Sequence, residues 1–451
     1  MTTTEHLYQL YLKHPVISTD TRKIAAGSLF FALKGDKFDA NTFAEQAIEA
    51  GAAYAIIDNP QYQADEKYLL VDDVLLALQD LARHHRRQLT IPVVGLTGTN
   101  GKTTTKELIN AVLSQHFNTL ATQGNLNNHI GVPLTILSMN ASHGAAVIEM
   151  GANHQKEIAL LCSIAQPTHG LITNVGKAHL EGFGGVEGVK KGKGELYDYL
   201  SREGGMTESP KDSIAFVNSD DAVLMGMQEA RGLKNVVLYG SSDGHQNLVS
   251  GRLTENSPLL TVEWTGGTST EKHTVKTQLT GAYNLHNILA AICIGIYFKL
   301  SPDLINKGIA GYQPKNNRSQ IVKTATNTLI CDYYNANPSS MFVAIENIGN
   351  IQASRKVLVL GDMFELGEES AAEHAAVIKK TLEVQVNDRI FIGKEFYSQQ
   401  SILSGQYFVS SQFYNSVEDA MTALKNDPVK NSTVLIKGSR GMALERLVEL
   451  F

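Results

Sequence analysis

Residues Val94 to Thr105 read Val-Gly-Leu-Thr-Gly-Thr-Asn-Gly-Lys-Thr-Thr-Thr. An apolar run, a Gly-rich turn and a helical stretch follow one another, which is the context a phosphate-binding loop requires. Backbone N–H groups across Gly98, Thr99, Asn100 and Gly101 and the positive end of the next helix would cradle phosphates. Lys102 would place a cation at the β- and γ-phosphates, and Thr103, with Thr104 behind it, would offer a hydroxyl to Mg²⁺. The spacing is a variant, because Leu96 stands where the usual pattern has its first glycine. The plain alternative is a glycine turn that happens to contain Lys-Thr.

Further strings carry chemistry of the same kind. Glu149 closes the apolar run from Ala145, where a carboxylate after a phosphate loop can ligate Mg²⁺ or else face solvent. His179 follows the apolar run that ends near Val175, and catalytic groups of doubly wound sheets gather at strand carboxyl ends. A structural His is the alternative. Lys190, Lys191 and Lys193 form a basic stretch that is either a solvated helix face or carries one buried site lysine, Lys193. Asn125, Asn127 and Asn128 make a polar loop with work to do or a tight turn. Asp332 opens the string to Ser340 and would either hold a ribose hydroxyl or cap a turn. The cluster from Arg83 to Arg87 is expected to be cations at a helix C-terminus rather than an anion site.

Positioning these groups needs an ordered scaffold. Val74–Arg87 reads as an amphipathic helix, with β-like runs at Ala53–Asp58 and Tyr68–Val71 before it. A second unit opens at Ile91, with strand-like runs at Ile91–Thr97, Ala145–Met150, Gly170–Val175, Ile214–Asn218 and Val236–Tyr239. Strands alternating with helices imply a mostly parallel, doubly wound α/β sheet. Leu259–Trp264 and Thr274–Leu279 lack a helix between them and are expected to form an antiparallel appendage. A third α/β unit begins near Gln313, with runs at Thr328–Cys331, Lys356–Leu360, Arg389–Ile392 and Val434–Ile436. The stretch Gly204–Asp212 is expected to be a surface loop.

Composition sets the outer limits. The 451 residues carry 39 Lys plus Arg against 45 Asp plus Glu, without the basic surplus of a nonspecific nucleic-acid binder. The longest apolar run, Ile288–Phe298, is well short of a bilayer crossing. Cys162, Cys293 and Cys331 are sparse and unpaired in spacing, which reads as reduced core thiols. With no basic segment leading into an apolar one at the start, the expectation is a cytoplasmic protein without membrane insertion.

In this order, the strings resemble the Mur ligase family of cell-wall peptide-adding enzymes. The loop from Thr97 to Thr104 is similar to that family's distinctive phosphate loop. Gly281-Ala-Tyr-Asn284-Leu-His-Asn287 looks like its Gly-x-His-Asn-x-x-Asn-Ala motif. The strings at Ser18–Asp39, Asn125–Leu134, Tyr334–Pro338 and Gly361–Gly367 resemble family segments too. The resemblance implies an α/β chain of three domains: a uridine-nucleotide domain at 1–88, a central P-loop domain at 89–312 and a C-terminal Rossmann-like domain at 313–451. It implies an ATP-dependent ligase joining D-alanyl-D-alanine to UDP-N-acetylmuramoyl-tripeptide through an acyl phosphate, and a monomer. It assigns Thr103 and Glu149 to a first Mg²⁺, and His179 with a carbamylated Lys193 to a second. Asn287 would meet adenine, Arg318 the phosphates and Asp332 the ribose. Thr19, Asp20 and Arg22 would hold the uridine diphosphate, with Asn125 on the substrate side. Three positions depart from the family pattern: Tyr283 replaces its His, Asn41 another His, and Tyr333 a small Ser or Thr. The rival from another class is a P-loop kinase or regulatory module, whose ATP use would be indifferent to the dipeptide.

Overall fold

The computed structural model describes residues 1–201, 212–241, 246–315, 317–403, 407 and 409–451. Most of the expected loop Gly204–Asp212 therefore lies outside the described residues. Among those described, the strands form sheets of four, nine and six, plus a two-stranded hairpin at Lys34–Gly35 and Phe38–Asp39.

The nine-stranded sheet runs His273–Lys276, Thr261–Gly266, Val249–Glu255, Val236–Gly240, Ile214–Asn218, His169–Ile172, Val93–Thr97, Ala145–Glu149, Thr119–Ala121. Its last seven strands are parallel and the first three pair antiparallel. The expected appendage is the outer two, Thr261–Gly266 and His273–Lys276, while Val249–Glu255 between them and the other parallel strands was not marked by the sequence. Alternate side chains point to opposite faces. Val93, Ala146, Ile148 and Ile172 fall in one buried cluster, and Val94, Leu96, Val147 and Leu171 in another. Helices Lys102–Leu113, Leu285–Tyr297 and Pro302–Gly311 supply apolar residues to the second face. With both faces covered, the central strands are apolar but for residues at their ends such as Thr97, Glu149 and His169, as buried parallel strands are expected to be. Chain order reverses beside Val93–Thr97, so the phosphate loop sits at a switch point of the sheet.

The first face is shared. Leu7, Tyr8, Tyr11, Leu78 and Leu81 from the first 88 residues join the same apolar cluster as Val132, Ile136 and Leu161. The basic cluster lies in the last turn of the helix Val74–Arg87, as expected, and its buried members His85 and Arg86 take carbonyl partners. Arg86 is buried and donates to the carbonyls of Ala165 (3.0 Å) and Gln166 (3.2 Å) at the end of helix Glu157–Ala165, and to Leu89 (2.6 Å). His85 is buried against the Met139 carbonyl at 2.9 Å. The carbonyls that Arg86 answers are divided between the end of a different helix and the segment Leu89–Ile91 that follows its own.

The six-stranded sheet runs Gln320–Lys323, Thr328–Cys331, Thr433–Lys437, Lys356–Gly361, Asp388–Ile392, Ser411–Tyr414, parallel except for its first pair. Again alternation splits its core, with Leu358, Leu360 and Leu435 on one face and Val357, Val359 and Ile436 on the other. All three cysteines are buried, and none is in a disulfide. No helix among the described residues is long and apolar enough to cross a membrane.

Candidate active site

The phosphate loop leaves strand Val93–Thr97 at Gly98, whose φ of +142° is reserved for glycine. A Cβ on Gly98 would lie 2.0 Å from Thr173 Oγ1 and 3.0 Å from the Thr173 nitrogen. Gly101, at φ +78°, starts the helix Lys102–Leu113. The neighbouring strand end pins the turn between them. Thr173 Oγ1 donates to the Asn100 carbonyl (2.6 Å), Asn174 Oδ1 accepts the Asn100 N–H (3.0 Å), and Thr99 Oγ1 accepts the Gly176 N–H (2.9 Å). Lys102 Nζ donates to the carbonyls of Gly98 (2.7 Å) and Thr99 (3.0 Å). Burial brings its pKa down to about 8, with Glu149 opposing that shift and Arg318 adding to it.

Glu149 ends the strand Ala145–Glu149 and is 1% exposed. Its Oε1 accepts from Asn127 Nδ2 at 2.9 Å, while Oε2 is buried with no hydrogen-bond partner. A buried carboxylate oxygen without a partner is costly, and a divalent cation shared with phosphate oxygens and the Thr103 hydroxyl is a group that fits it. Among the described residues no cluster of three or more His, Cys, Asp or Glu could hold a metal alone. A cation here would therefore complete its shell with substrate oxygens and water.

Lys193 resolves the basic stretch. It is 3% exposed on the helix Val186–Leu200, whereas Lys191 is exposed. Its Nζ donates to the Ala152 carbonyl (3.1 Å) and lies 4.9 Å from the centre of the Phe183 ring. Burial lowers its pKa to about 7, and Lys102 adds to the fall. An amine so poised is neutral often enough to act as a nucleophile at ordinary pH. His179, at φ +51°, pairs through Nδ1 with Glu365 of the C-terminal sheet region.

The opposite wall comes mainly from the C-terminal part. Arg318 lies 3.9 Å over the Tyr334 ring, with its Nε buried and unpartnered. Asp332 Oδ1 accepts the Ser319 N–H (3.0 Å), and Oδ2 accepts from Lys437 Nζ (2.6 Å). Asn337 caps the helix Pro338–Asn350 and also donates to Asn100 Oδ1 at 2.9 Å, so the capped turn and the site are one feature. Asn287 bonds Thr105 Oγ1 (3.0 Å) and Asn284 Oδ1 (2.8 Å), bracing the helix behind Gly101.

One cavity of about 750 Å³ is lined by Thr99 to Thr104, Asn125, Glu149, His179, Asn287, Arg318 and Asp332. Gly98 and Lys193 are not among its lining residues but bond two that are, Lys102 and Ala152. Thr19, Asp20 and Arg22 are not among its lining residues. Asp20 instead caps the turn Thr21–Lys23 and pairs with Arg22 at 2.7 Å, which pulls its pKa to about 2. Sequence reasoning did not single out Lys437 or Glu365 as site residues. The first looks like an ordinary strand residue and the second meets His179 only through the fold. A second cavity of about 630 Å³, lined by Glu365, Lys394, Glu395, Glu418 and Arg446 among others, lies at the C-terminal sheet. Of the departures, Asn41 is buried between Asp39 (2.7 Å) and Asp58 (2.8 Å), and Tyr333 packs in the core.

Three family models match the chain: Mur ligase family, catalytic domain, at residues 15–86; Mur ligase middle domain at 96–295; and Mur ligase, glutamate ligase domain, at 317–440. The UDP-N-acetylmuramoyl-tripeptide–D-alanyl-D-alanine ligase of Escherichia coli (strain K12) is 36% identical, over 96% of this chain and 92% of that protein. The enzyme of the same name from Bacillus subtilis (strain 168) is 34% identical over the same shares. The crystal structure of MurF from Acinetobacter baumannii superposes with a TM-score of 0.85 at 31% identity, covering 96% and 92% of the two chains. MurF ligase from Thermotoga maritima in complex with ADP gives 0.82 at 26% identity, covering 96% of each. A phosphate loop braced by its neighbouring strand, faced by a second α/β layer and matched along nearly its whole length, places this chain in the Mur ligase family.

Proposed function

We propose that the protein uses ATP to join D-alanyl-D-alanine to UDP-N-acetylmuramoyl-tripeptide, the last cytoplasmic step in making the peptidoglycan precursor peptide. The observation that carries this reading is the shared cavity: phosphate-binding groups of the middle region face Arg318, Asp332 and Asn337 of the C-terminal region across it. A further support is that Glu365, which lines the second cavity, pairs with His179, which lines the first. Its Lys394 and Arg446 beside Glu395 and Glu418 suit a zwitterionic acceptor.

A carboxylate is a poor acyl donor at neutral pH. In the proposed reaction its oxygen attacks the γ-phosphorus, the bond to the bridging oxygen breaks, and ADP departs. The dipeptide amine then attacks the acyl carbon, phosphate leaves, and the amine proton is lost. Lys102 and the loop amides offset the charge that builds as phosphate approaches carboxylate. Mg²⁺, held by Thr103 and Glu149 and, at a second position, by His179 and carbamylated Lys193, would screen phosphate charge. Carbamylation makes Lys193 an anion, and its burial and lowered pKa support that assignment. Asn287 would face adenine, Arg318 the phosphates and Asp332 the ribose. Thr19, Asp20 and Arg22 would hold the uridine diphosphate in a domain spanning 1–88, with Asn125 on the way to the reacting centre. The middle and C-terminal domains would span 89–312 and 313–451 in a monomer.

The test is phosphate release from Mg-ATP and UDP-N-acetylmuramoyl-tripeptide, with and without D-alanyl-D-alanine. Release that requires both substrates supports the proposal. Release indifferent to the dipeptide overturns it in favour of the kinase-like reading.

A further inference from the structure

Tyr283 occupies the turn Ala282–Asn284 ahead of the helix Leu285–Tyr297, at the position where the family resemblance leads one to expect His. Its ring lies over Gly281, where a Cβ would come within 2.4 Å of it, and Gly281 takes a φ of +90°. The turn thus admits a large ring at the cavity wall. The phenol oxygen is 2.6 Å from Ser319 Oγ. Ser319 is 7% exposed and holds a left-handed φ of +49°, a conformation that persists only where its surroundings enforce it. Two contacts do so: the Tyr283 hydroxyl on its side chain, and Asp332 Oδ1 on its N–H at 3.0 Å. Lys437 holds the other carboxylate oxygen at 2.6 Å. Tyr283, Ser319, Asp332 and Lys437 all line the main cavity.

We propose that Tyr283 is a positioning residue for the nucleotide sugar: through Ser319 it holds Asp332 Oδ1 in the orientation that accepts a ribose hydroxyl. Each carboxylate oxygen has two lone pairs, so Oδ1 keeps one for the sugar after bonding Ser319. A shorter imidazole at position 283 would not span to Ser319 from the same backbone. The inference rests on the reading of Asp332 as the ribose carboxylate.

The experiment measures kcat and KM for ATP, 2′-deoxyATP and 3′-deoxyATP in the parent, Tyr283→Phe, Ser319→Ala and Asp332→Asn enzymes, with thermal unfolding to confirm folding. The phenylalanine keeps the ring and removes only the hydroxyl. We expect the parent to prefer ATP over one deoxy analogue, and Asp332→Asn to abolish that preference. Tyr283→Phe and Ser319→Ala should each raise the KM for ATP by about five-fold, the worth of one positioning hydrogen bond, and shrink the preference in proportion. A purely structural role would lower folded enzyme or kcat without changing the ratio between ATP and its analogue. If Asp332→Asn loses the preference while Tyr283→Phe and Ser319→Ala retain it in full, the positioning role is overturned and the Asp332 reading stands. If Asp332→Asn keeps the preference, or the parent has none, the Asp332 reading fails and takes this inference with it.

Discussion

Replacing Gly98 by alanine asks whether the phosphate loop is built as tightly as its hydrogen bonds indicate. At φ +142° an L-residue costs about 1–3 kcal/mol in backbone strain alone. The new methyl would also sit 2.0 Å from Thr173 Oγ1, 3.0 Å from the Thr173 nitrogen and 3.2 Å from the Asn174 nitrogen. Relieving that overlap needs a displacement of about 1 Å, and a misplacement of that size costs on the order of 100-fold in rate. Trimming Thr173 as well should not rescue the variant. The two backbone nitrogens remain in the way, and the hydroxyl that holds the Asn100 carbonyl is lost. Gly226→Ala is the control, because beyond its own helix backbone nothing lies within 4 Å of its Cβ position on the helix Ala222–Ala230. Steady-state phosphate release and nucleotide binding should show Gly98→Ala reduced by two orders of magnitude in kcat/KM, and Gly226→Ala unchanged. A Gly98→Ala enzyme within about three-fold of the parent would refute the assignment of this turn as the phosphate cradle.

Other expectations follow from single residues. Lys102→Ala should lower turnover by at least about 100-fold, since the phosphate charge loses its cation; retained turnover would remove Lys102 from the phosphates. Lys193→Ala should abolish amide formation and regain part of it when short carboxylates are added, whereas parent-like rates would dismiss the carbamate. Burial beside Phe216, Tyr297 and Phe298 holds His169 down at about pKa 4. The unfolded chain therefore takes up a proton near pH 6.5 that the folded chain refuses, and stability is lost as pH falls from about 6.5 towards 4, by up to about 3 kcal/mol. Urea unfolding near neutral pH and in that acid window should show His169→Gln losing less stability than the parent; equal losses would contradict the assignment.

What could be read from sequence divides by physics. The strand–loop–helix at Val93–Leu113, the helix Val74–Arg87 and the buried strands of both large sheets were legible because continuous apolar runs and a glycine turn mark them locally. Short or polar edge strands such as Thr119–Ala121, Gln320–Lys323 and Ser411–Tyr414 carried no such mark, and Ile17–Ser18 is two residues long. Residues of the site divide in the same way. Lys102, Thr103 and Glu149 are announced by their place after apolar strands. Burial of Lys193 depends on Phe183 and Ala152, which reach it only in the fold. Lys437 is about a hundred residues from the Asp332 it pairs with, and Glu365 further still from His179, so neither pairing leaves a local trace. Arg86 shows the converse: a buried member of a conspicuous basic cluster that serves to join two regions of the chain.

The central claim is that a substrate carboxylate is activated by phosphoryl transfer before the dipeptide amine attacks. It is tested most directly by labelling that carboxylate of UDP-N-acetylmuramoyl-tripeptide with oxygen-18 and running a full reaction with Mg-ATP and D-alanyl-D-alanine. The account predicts a pentapeptide product and phosphate that carries one labelled oxygen from the carboxylate. Unlabelled phosphate, or label retained in full by the peptide, would contradict it.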